Sequence, residues 1–427
     1  MIALRNQLTG LMAGTCLVLA GTVTAQENLS HAEPEDVGMS SERLGRIAPM
    51  IQSYVDQGEL VGATSMVARH GQVVHFETYG DLNRETGQDM QEDSLFRIFS
   101  MTKPITSLAV MQLYEQGLLQ LDDPVARYLP GFADVRVVGE GGALVEPEQP
   151  MTVRMLLTHS AGLTYGVFGD TLIDRMYREA GVMESPDLTT FVDRLSEIPL
   201  QYQPGTRFHY SVATDVLGGL VEVISGQELG EYFREHIFAP LGMNDTFFRV
   251  PPEKVDRYGT NHTFDPATGE LQVSATPVSG EGVGGRGFES GGGGLVSSTE
   301  DYMRFAQMLL NGGELAGERV IGRKTLDYMT ENHLPAIFAD RGVHAPDTLP
   351  GFVDGTGFGL GFAVIEDPKR AGGVASKGEY YWGGAAGTIF WIDPAEDLAG
   401  VVMIQHMNVQ VPLRAEFKAL TYSAIAE

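Results

Sequence analysis

The stretches of this chain that read as β-strands lie towards its two ends, and the middle reads as helix and loop. Residues 61–67 and 72–79 carry the apolar and β-branched pattern of strands, and Arg69-His70-Gly71-Gln72 supplies a turn between them. Strand candidates return at residues 357–365, 387–392 and 399–404, the last two joined by the turn Asp393-Pro394-Ala395-Glu396-Asp397. No strand–helix–strand rhythm connects these groups, so a parallel, doubly wound sheet is disfavoured. The expected fold class is α+β. One antiparallel sheet, built from both chain ends and flanked by helices, is joined to a mostly helical lobe. The α/β part is expected over about residues 26–120 and 290–427, and the lobe over about 121–289.

Helical spacing of apolar residues is found at 46–58, 191–195, 212–223 and 299–310. Residues 99–117 form the strongest helix candidate, with Pro104 in the first turn and Gly117 at the end. Residues 26–45 are polar and read as a leading arm. The glycine-rich run at 280–294 has no adjacent Gly-Lys-Ser/Thr, so a phosphate loop is unsupported and a flexible loop is expected.

With 43% hydrophobic and 20% charged residues the chain is globular rather than disordered. Its 427 residues suffice for a large core. The net charge of −27, with six lysines against 56 acidic residues, repels phosphate backbones and disfavours nucleic acid as a partner. Residues 1–25 read as a signal peptide: Arg5 supplies the positive start, residues 8–23 the apolar stretch, and Val23-Thr24-Ala25 a cleavage site before Gln26. The single cysteine, Cys16, lies inside that stretch. Disulfides and cysteine catalysis are therefore not expected in a mature chain of residues 26–427. A lipoprotein would need cleavage before Cys16, and Thr15 fits that poorly. No other stretch approaches the roughly 20 apolar residues of a membrane helix. A periplasmic or secreted protein is expected, with no membrane association after signal removal.

Chemistry is carried by Ser100-Met101-Thr102-Lys103, the one Ser-x-x-Lys in the sequence. Residues three apart on a helix share a face, so the Ser100 hydroxyl and the Lys103 amine can meet at the start of the 99–117 helix. A serine hydroxyl needs a base to attack a carbonyl. A lysine serves when desolvation or a nearby cation brings its pKa from about 10.4 towards about 7–8. The positive end of the helix dipole favours both a developing alkoxide and a neutral amine. Taken alone, the motif also fits an N-cap serine followed by a surface lysine. No Gly-x-Ser-x-Gly occurs, so a nucleophile elbow is unsupported. His70 and His75 have no cysteine or acidic partner at ligand spacing, and neither a metal nor an organic cofactor is expected.

Two further segments follow in order: Tyr210-Ser211-Val212 after a Pro204-Gly205 turn, and Trp382-Gly383-Gly384-Ala385 before a strand. Together with Ser-x-x-Lys they resemble the family VIII carboxylesterases, relatives of the class C β-lactamases and penicillin-binding D,D-peptidases. Leu156-Leu157-Thr158-His159-Ser160-Ala161-Gly162-Leu163 and Ser290-Gly291-Gly292-Gly293-Gly294-Leu295 also look like recurrent segments of that superfamily. The resemblance spans roughly residues 40–420 and implies a serine β-lactamase-like fold. It implies that Ser100 is a nucleophile forming an acyl-enzyme. Lys103 and Tyr210 then share its proton, and the backbone N–H groups of Ser100 and Ala385 form an oxyanion hole. Which of Lys103 and Tyr210 is the base stays open, because the two would be coupled. Gly383 and Gly384 would let the acyl group lie against the backbone. His159 is expected to be structural, fixing the loop after a helix.

The sequence departs from the β-lactamases at two substrate-facing positions. Their third motif carries a lysine where this chain has Trp382, and their second motif ends in an asparagine where it has Val212. Both changes favour uncharged esters of modest acyl length, with Trp382 as an apolar wall. The expected partner is a small ester. A β-lactamase or D,D-peptidase is the alternative of the same class, and a non-catalytic binding or sensor protein is the alternative of another.

Overall fold

Strands from the two chain ends pair with each other. The structure is a computed structural model and describes residues 29–265, 267–274, 287–334 and 354–427. The expected signal peptide with Cys16, and residues 280–286 of the glycine run, lie outside the described residues. The main sheet comprises β1 (Gly62–Arg69), β2 (Gln72–Asn83), β3 (Gln88–Asp89), β4 (Thr356–Phe358), β5 (Ala363–Ile365), β6 (Tyr380–Gly383), β7 (Ile389–Asp393) and β8 (Leu398–Ile404). Its order is β4-β5-β6-β7-β8-β1-β2-β3, and the pairings are antiparallel. The join between chain ends is β1 against β8, with Met66 opposite Val401 and Ser65 opposite Val402.

Both faces of this join are covered, which explains the nearly continuous apolar run of β8. The helices used below are α1 (Ile47–Asp56), α2 (Thr102–Glu115), α3 (Leu172–Glu179), α4 (Ala213–Ser225), α5 (Thr299–Leu310) and α6 (Leu413–Ser423). Successive side chains on a strand point to opposite faces. Ala63, Val67, Val402 and Ile404 pack with Ile47 and Ile51 of α1 and Leu413 and Phe417 of α6. Met66, Ala68, Val401 and Met403 join the larger core of α5, α2 and the helical lobe. The lobe holds α3 and α4, further short helices and two small hairpins, Val137–Val138 with Leu144–Val145 and His262–Phe264 with Leu271–Val273. Among the described residues no helix is long and apolar enough to cross a membrane.

Two expectations are corrected. Residues 357–365 are two strands, β4 and β5, separated by a turn in which Gly359 N donates to Phe362 O at 2.8 Å and Leu360 N to Met329 O at 2.8 Å. Trp382 lies within a strand, β6, and stands before the next, β7, as expected. The described part of the leading arm is docked, since Ala32 N donates to Val73 O at 3.1 Å and Val37, Met39 and Leu44 are buried.

The N-terminus of α5 carries a buried carboxylate. Asp301 accepts from Asp245 N at 2.7 Å and from the Thr246 hydroxyl at 2.8 Å. Burial outweighs these bonds and pushes its carboxyl up to about 7. The folded chain therefore holds a proton there that the unfolded chain loses near its ordinary value of 3.8. This contribution is fully present below about pH 4 and is lost as pH rises through about 7, by roughly 1.4 kcal/mol per pH unit across that window. Asp301→Asn keeps an acceptor without the charge. Its melting temperature is expected to gain on the wild type between pH 5 and pH 8. Parallel melting curves across that range would refute the buried-carboxylate account.

Candidate active site

The segment before Ser100 is fixed from two sides. Leu95–Arg97 pairs antiparallel with Val296–Ser298, and Ile98 N donates to Leu295 O at 3.1 Å. Phe99 then adopts a left-handed backbone, φ 43°, under the Arg97 guanidinium 4.5 Å from its ring centroid. That conformation costs a non-glycine residue about 1–2 kcal/mol. It turns the chain from strand into a short 3-10 turn, Phe99–Met101, that runs on into α2 and leaves Ser100 at the helix start. Thr102 through Leu113 of α2 are all buried, so the helix is a central pillar rather than a surface amphipath.

One turn on, Lys103 is 1% exposed. Its Nζ donates to Ser100 Oγ at 3.2 Å, to the Tyr165 hydroxyl at 3.1 Å and to Gly292 O at 2.6 Å. An ammonium has three donors, and these three oxygens satisfy them. A neutral amine can donate to Gly292 O and one hydroxyl while accepting a proton from the other. The same cage therefore suits both protonation states. Gly292 is itself held by Asp215, at the start of α4. Asp215 Oδ1 accepts from Gly292 N at 3.0 Å and from the Ser290 hydroxyl. Burial raises the Asp215 pKa, and the nearby Lys103 charge opposes that rise.

The structure brings Tyr210 to the same point. Its hydroxyl donates to Ser100 Oγ at 2.7 Å, and Lys103 Nζ lies 4.6 Å from its ring centroid. The Tyr210 ring packs on His159 at 4.7 Å, Tyr165 at 5.5 Å and Trp382 at 5.6 Å. His159 is buried, and that burial first, then Lys103 and His209, holds its pKa well below the ordinary histidine range. Its Nδ1 lies 3.4 Å from Ser211 Oγ, and its carbonyl accepts from His209 N at 2.7 Å. The neutral ring is thus a prop for Tyr210. Trp382 is also buried, between Tyr210 and Phe358. The ring expected as an apolar wall thus packs against the tyrosine, with 7% of its surface exposed. Val212 is fully buried beneath the site with its N–H on Thr164 O, and does not face a substrate.

Past Trp382 the chain makes a tight turn. Gly384 N donates to Thr388 O at 2.9 Å and Gly387 N to Gly384 O at 3.1 Å, which leaves Ala385 exposed at the tip. A Cβ on Gly384 would lie 2.4 Å from Ile98 O, so only glycine lets this turn approach the backbone that leads to Ser100. Arg414 of α6 clamps the turn from behind. Its Nη2 donates to Gly384 O at 2.8 Å and Thr388 O at 2.9 Å, and its Nε donates to Gly387 O at 3.4 Å. Among the described residues no group of three or more His, Cys, Asp or Glu could hold a metal. His70 pairs with Asp397 at the surface, and His75 is buried against Ser65.

The Beta-lactamase family model matches residues 47–423, nearly all of the described chain. The chain belongs to that family. Esterase EstB of Burkholderia gladioli is 31% identical over 376 residues, covering 84% of this chain and 89% of EstB. Lovastatin esterase of Penicillium rubens is 30% identical over 388 residues, covering 86% of this chain and 94% of its own. Among solved structures, EstCE1, described as a hydrolase with promiscuous acyltransferase activity, superposes with a TM-score of 0.75 at 27% identity. That match covers 90% of this chain and 99% of EstCE1.

Sequence reasoning missed Tyr165, Asp215 and Arg414 in this β-lactamase-family site. Tyr165 lies two residues beyond the Leu156–Leu163 segment, and Asp215 is an acidic residue in an otherwise apolar helix start; both were findable signals. Arg414 had none, because its partners are carbonyls. Its replacement tests the clamp. Loosening a supporting contact can cost up to about a hundredfold in rate. Arg414→Met is expected to lower kcat for p-nitrophenyl butyrate by about 10- to 100-fold with KM changed far less. An unchanged kcat with a lowered melting temperature would mean that Arg414 serves stability alone.

Proposed function

We propose that the protein is a serine ester hydrolase that passes through an acyl-enzyme on Ser100. The observation that carries this reading is the convergence of the Tyr210 hydroxyl and the Lys103 Nζ on Ser100 Oγ, at 2.7 and 3.2 Å. In the proposed reaction Ser100 Oγ attacks the ester carbonyl as its proton passes to the Lys103–Tyr210 pair. The carbonyl oxygen, now an anion, is met by the N–H groups of Ser100 and Ala385. Each such donor is worth about 3–4 kcal/mol in a transition state. Collapse breaks the bond to the alcohol oxygen, which takes the proton from the pair. Water then repeats the sequence on the acyl-enzyme and releases the acid. Tyr165 and Gly292 hold the lysine amine in line throughout.

Trp382 in place of the β-lactamase lysine supports uncharged esters over anionic β-lactams. It offers no cation to a carboxylate. Export to a periplasm or the medium belongs to the same proposal, with the mature chain starting at Gln26.

Ser100→Ala is expected to cut p-nitrophenyl butyrate turnover by at least about a thousandfold. Wild-type hydrolysis of a chromogenic cephalosporin should be far weaker than ester hydrolysis. Retained turnover in a folded Ser100→Ala variant would reject Ser100 as nucleophile, and a preference for the cephalosporin would return the protein to β-lactam chemistry. Mass spectrometry of protein secreted by an expressing host should give an N-terminus at Gln26. A retained residue 1–25 segment would reject the cleavage site.

A further inference from the structure

The loop that carries Tyr165 continues into an exposed apolar lip. Val167 is 61% exposed, Phe168 55% and Leu172 50%; they are three of the six large apolar side chains at least half exposed among the described residues. Scattered single exposures need no explanation, but three within six residues beside a reactive serine do. The lip is continuous with the site. The Phe168 ring meets the Tyr165 ring edge-on at 5.1 Å between centroids, and the Tyr165 hydroxyl is on Lys103.

The loop is also built to hold these side chains out. Arg178 of α3 donates to Gly166 O at 2.6 Å and to Gly169 O at 3.2 Å. Asp174, 1% exposed, accepts from the Thr164 hydroxyl at 2.6 Å on one side and from Thr171 N and its hydroxyl, at 2.9 and 2.7 Å, on the other. A Cβ on Gly166 would lie 2.9 Å from Tyr177 Cβ, so the loop presses onto α3 where a side chain would not fit. The ends of the loop are therefore tied to one helix, while Val167 and Phe168 at its tip face water. Such preorganisation lowers the entropic cost of binding an apolar group.

We propose that Val167, Phe168 and Leu172 form a subsite for the apolar substituent of an ester substrate, larger than a short acyl chain, and so set the enzyme's preference for hydrophobic esters. This rests on the ester-hydrolase reading above. A small neutral ligand is favoured over a membrane as the occupant, because a chain of net charge −27 is repelled by anionic lipid surfaces. Phe168 supplies the largest face, and burying even part of it against a substrate is worth about a tenfold gain.

The test uses the whole protein with Val167, Phe168 and Leu172 each changed to Ser, alongside Phe168→Leu. Two substrate series are run: p-nitrophenyl esters from acetate to octanoate, and acetates of alcohols from methanol to naphthol. The readout is the kcat/KM ratio of the large ester to the small one within each series. The triple variant is expected to lose about tenfold in that ratio in one series, which also assigns the lip to the acyl or the alcohol side. Phe168→Leu keeps apolar surface and should hold the ratio within about twofold. An unchanged ratio in both series, or an equal fall on every ester, would overturn the subsite. So would a Phe168→Leu loss as large as that of the triple variant. Binding of the wild type to phosphatidylcholine vesicles, lost in the triple variant without a change in ratio, would assign the lip to lipid instead. If acetate hydrolysis proceeds and depends on Ser100 while the ratio does not move, the lip alone fails. If no ester is turned over, the ester-hydrolase reading fails and takes the lip with it.

Discussion

Burying an ionisable amine is among the more expensive things a fold can do, and Lys103 sits on the central helix with almost none of its surface in water. The expense is tolerable only because three oxygens surround Nζ, and each comes from a different part of the chain. Ser100 comes from the helix start, Tyr165 from the helical lobe and Gly292 from the glycine-rich segment before α5. Asp215 fixes the third of these, and Thr106, a turn along α2 from Lys103, donates to Gly291 O at 2.7 Å to fix the same segment. The local architecture can be read as scaffolding for one nitrogen. Removing any oxygen leaves a buried donor unsatisfied, so the parts are interdependent.

The second fixed object is the turn that carries Ala385. It reaches Ser100 from the sheet side rather than from the helices, through the close approach of Gly384 to Ile98 O. Arg414 holds it from a third direction, from α6 on the opposite face of the sheet. Helix start, sheet strand and C-terminal helix meet within one turn of chain. A reactive group held by loops alone would lack that definition. The left-handed Phe99 is the local strain that this convergence requires.

The local half of this arrangement was legible in the sequence. Ser100 and Lys103 are three apart, so helical spacing alone places them together, and Pro104 and Gly117 mark where the helix starts and stops. Strand positions at both ends followed from apolar pattern, as did the antiparallel sheet made from them. The contacts of Tyr165, Gly292 and Arg414 depend on chain segments that meet only after packing, and no spacing rule reports them. Val212 and Trp382 were assigned to the substrate side from motif position, yet both are buried, because the side chains following a reactive tyrosine or preceding a tight turn pack inward to support it. The run 357–365 misled for a different reason. Its glycines and aromatics fit a continuous strand as well as they fit a hairpin turn.

The pairing of β1 with β8 has a consequence in time rather than in space. A strand completed by residue 69 finds its neighbour only at residue 398, more than 300 residues further along the chain. Until then the first hairpin has one bare edge, and α1 lacks the β8 and α6 side chains that it packs against in the finished molecule. Closing so long a loop is slow compared with forming helices. Ser100 therefore meets the turn bearing Ala385 only after segments some 300 residues apart in the chain have come together.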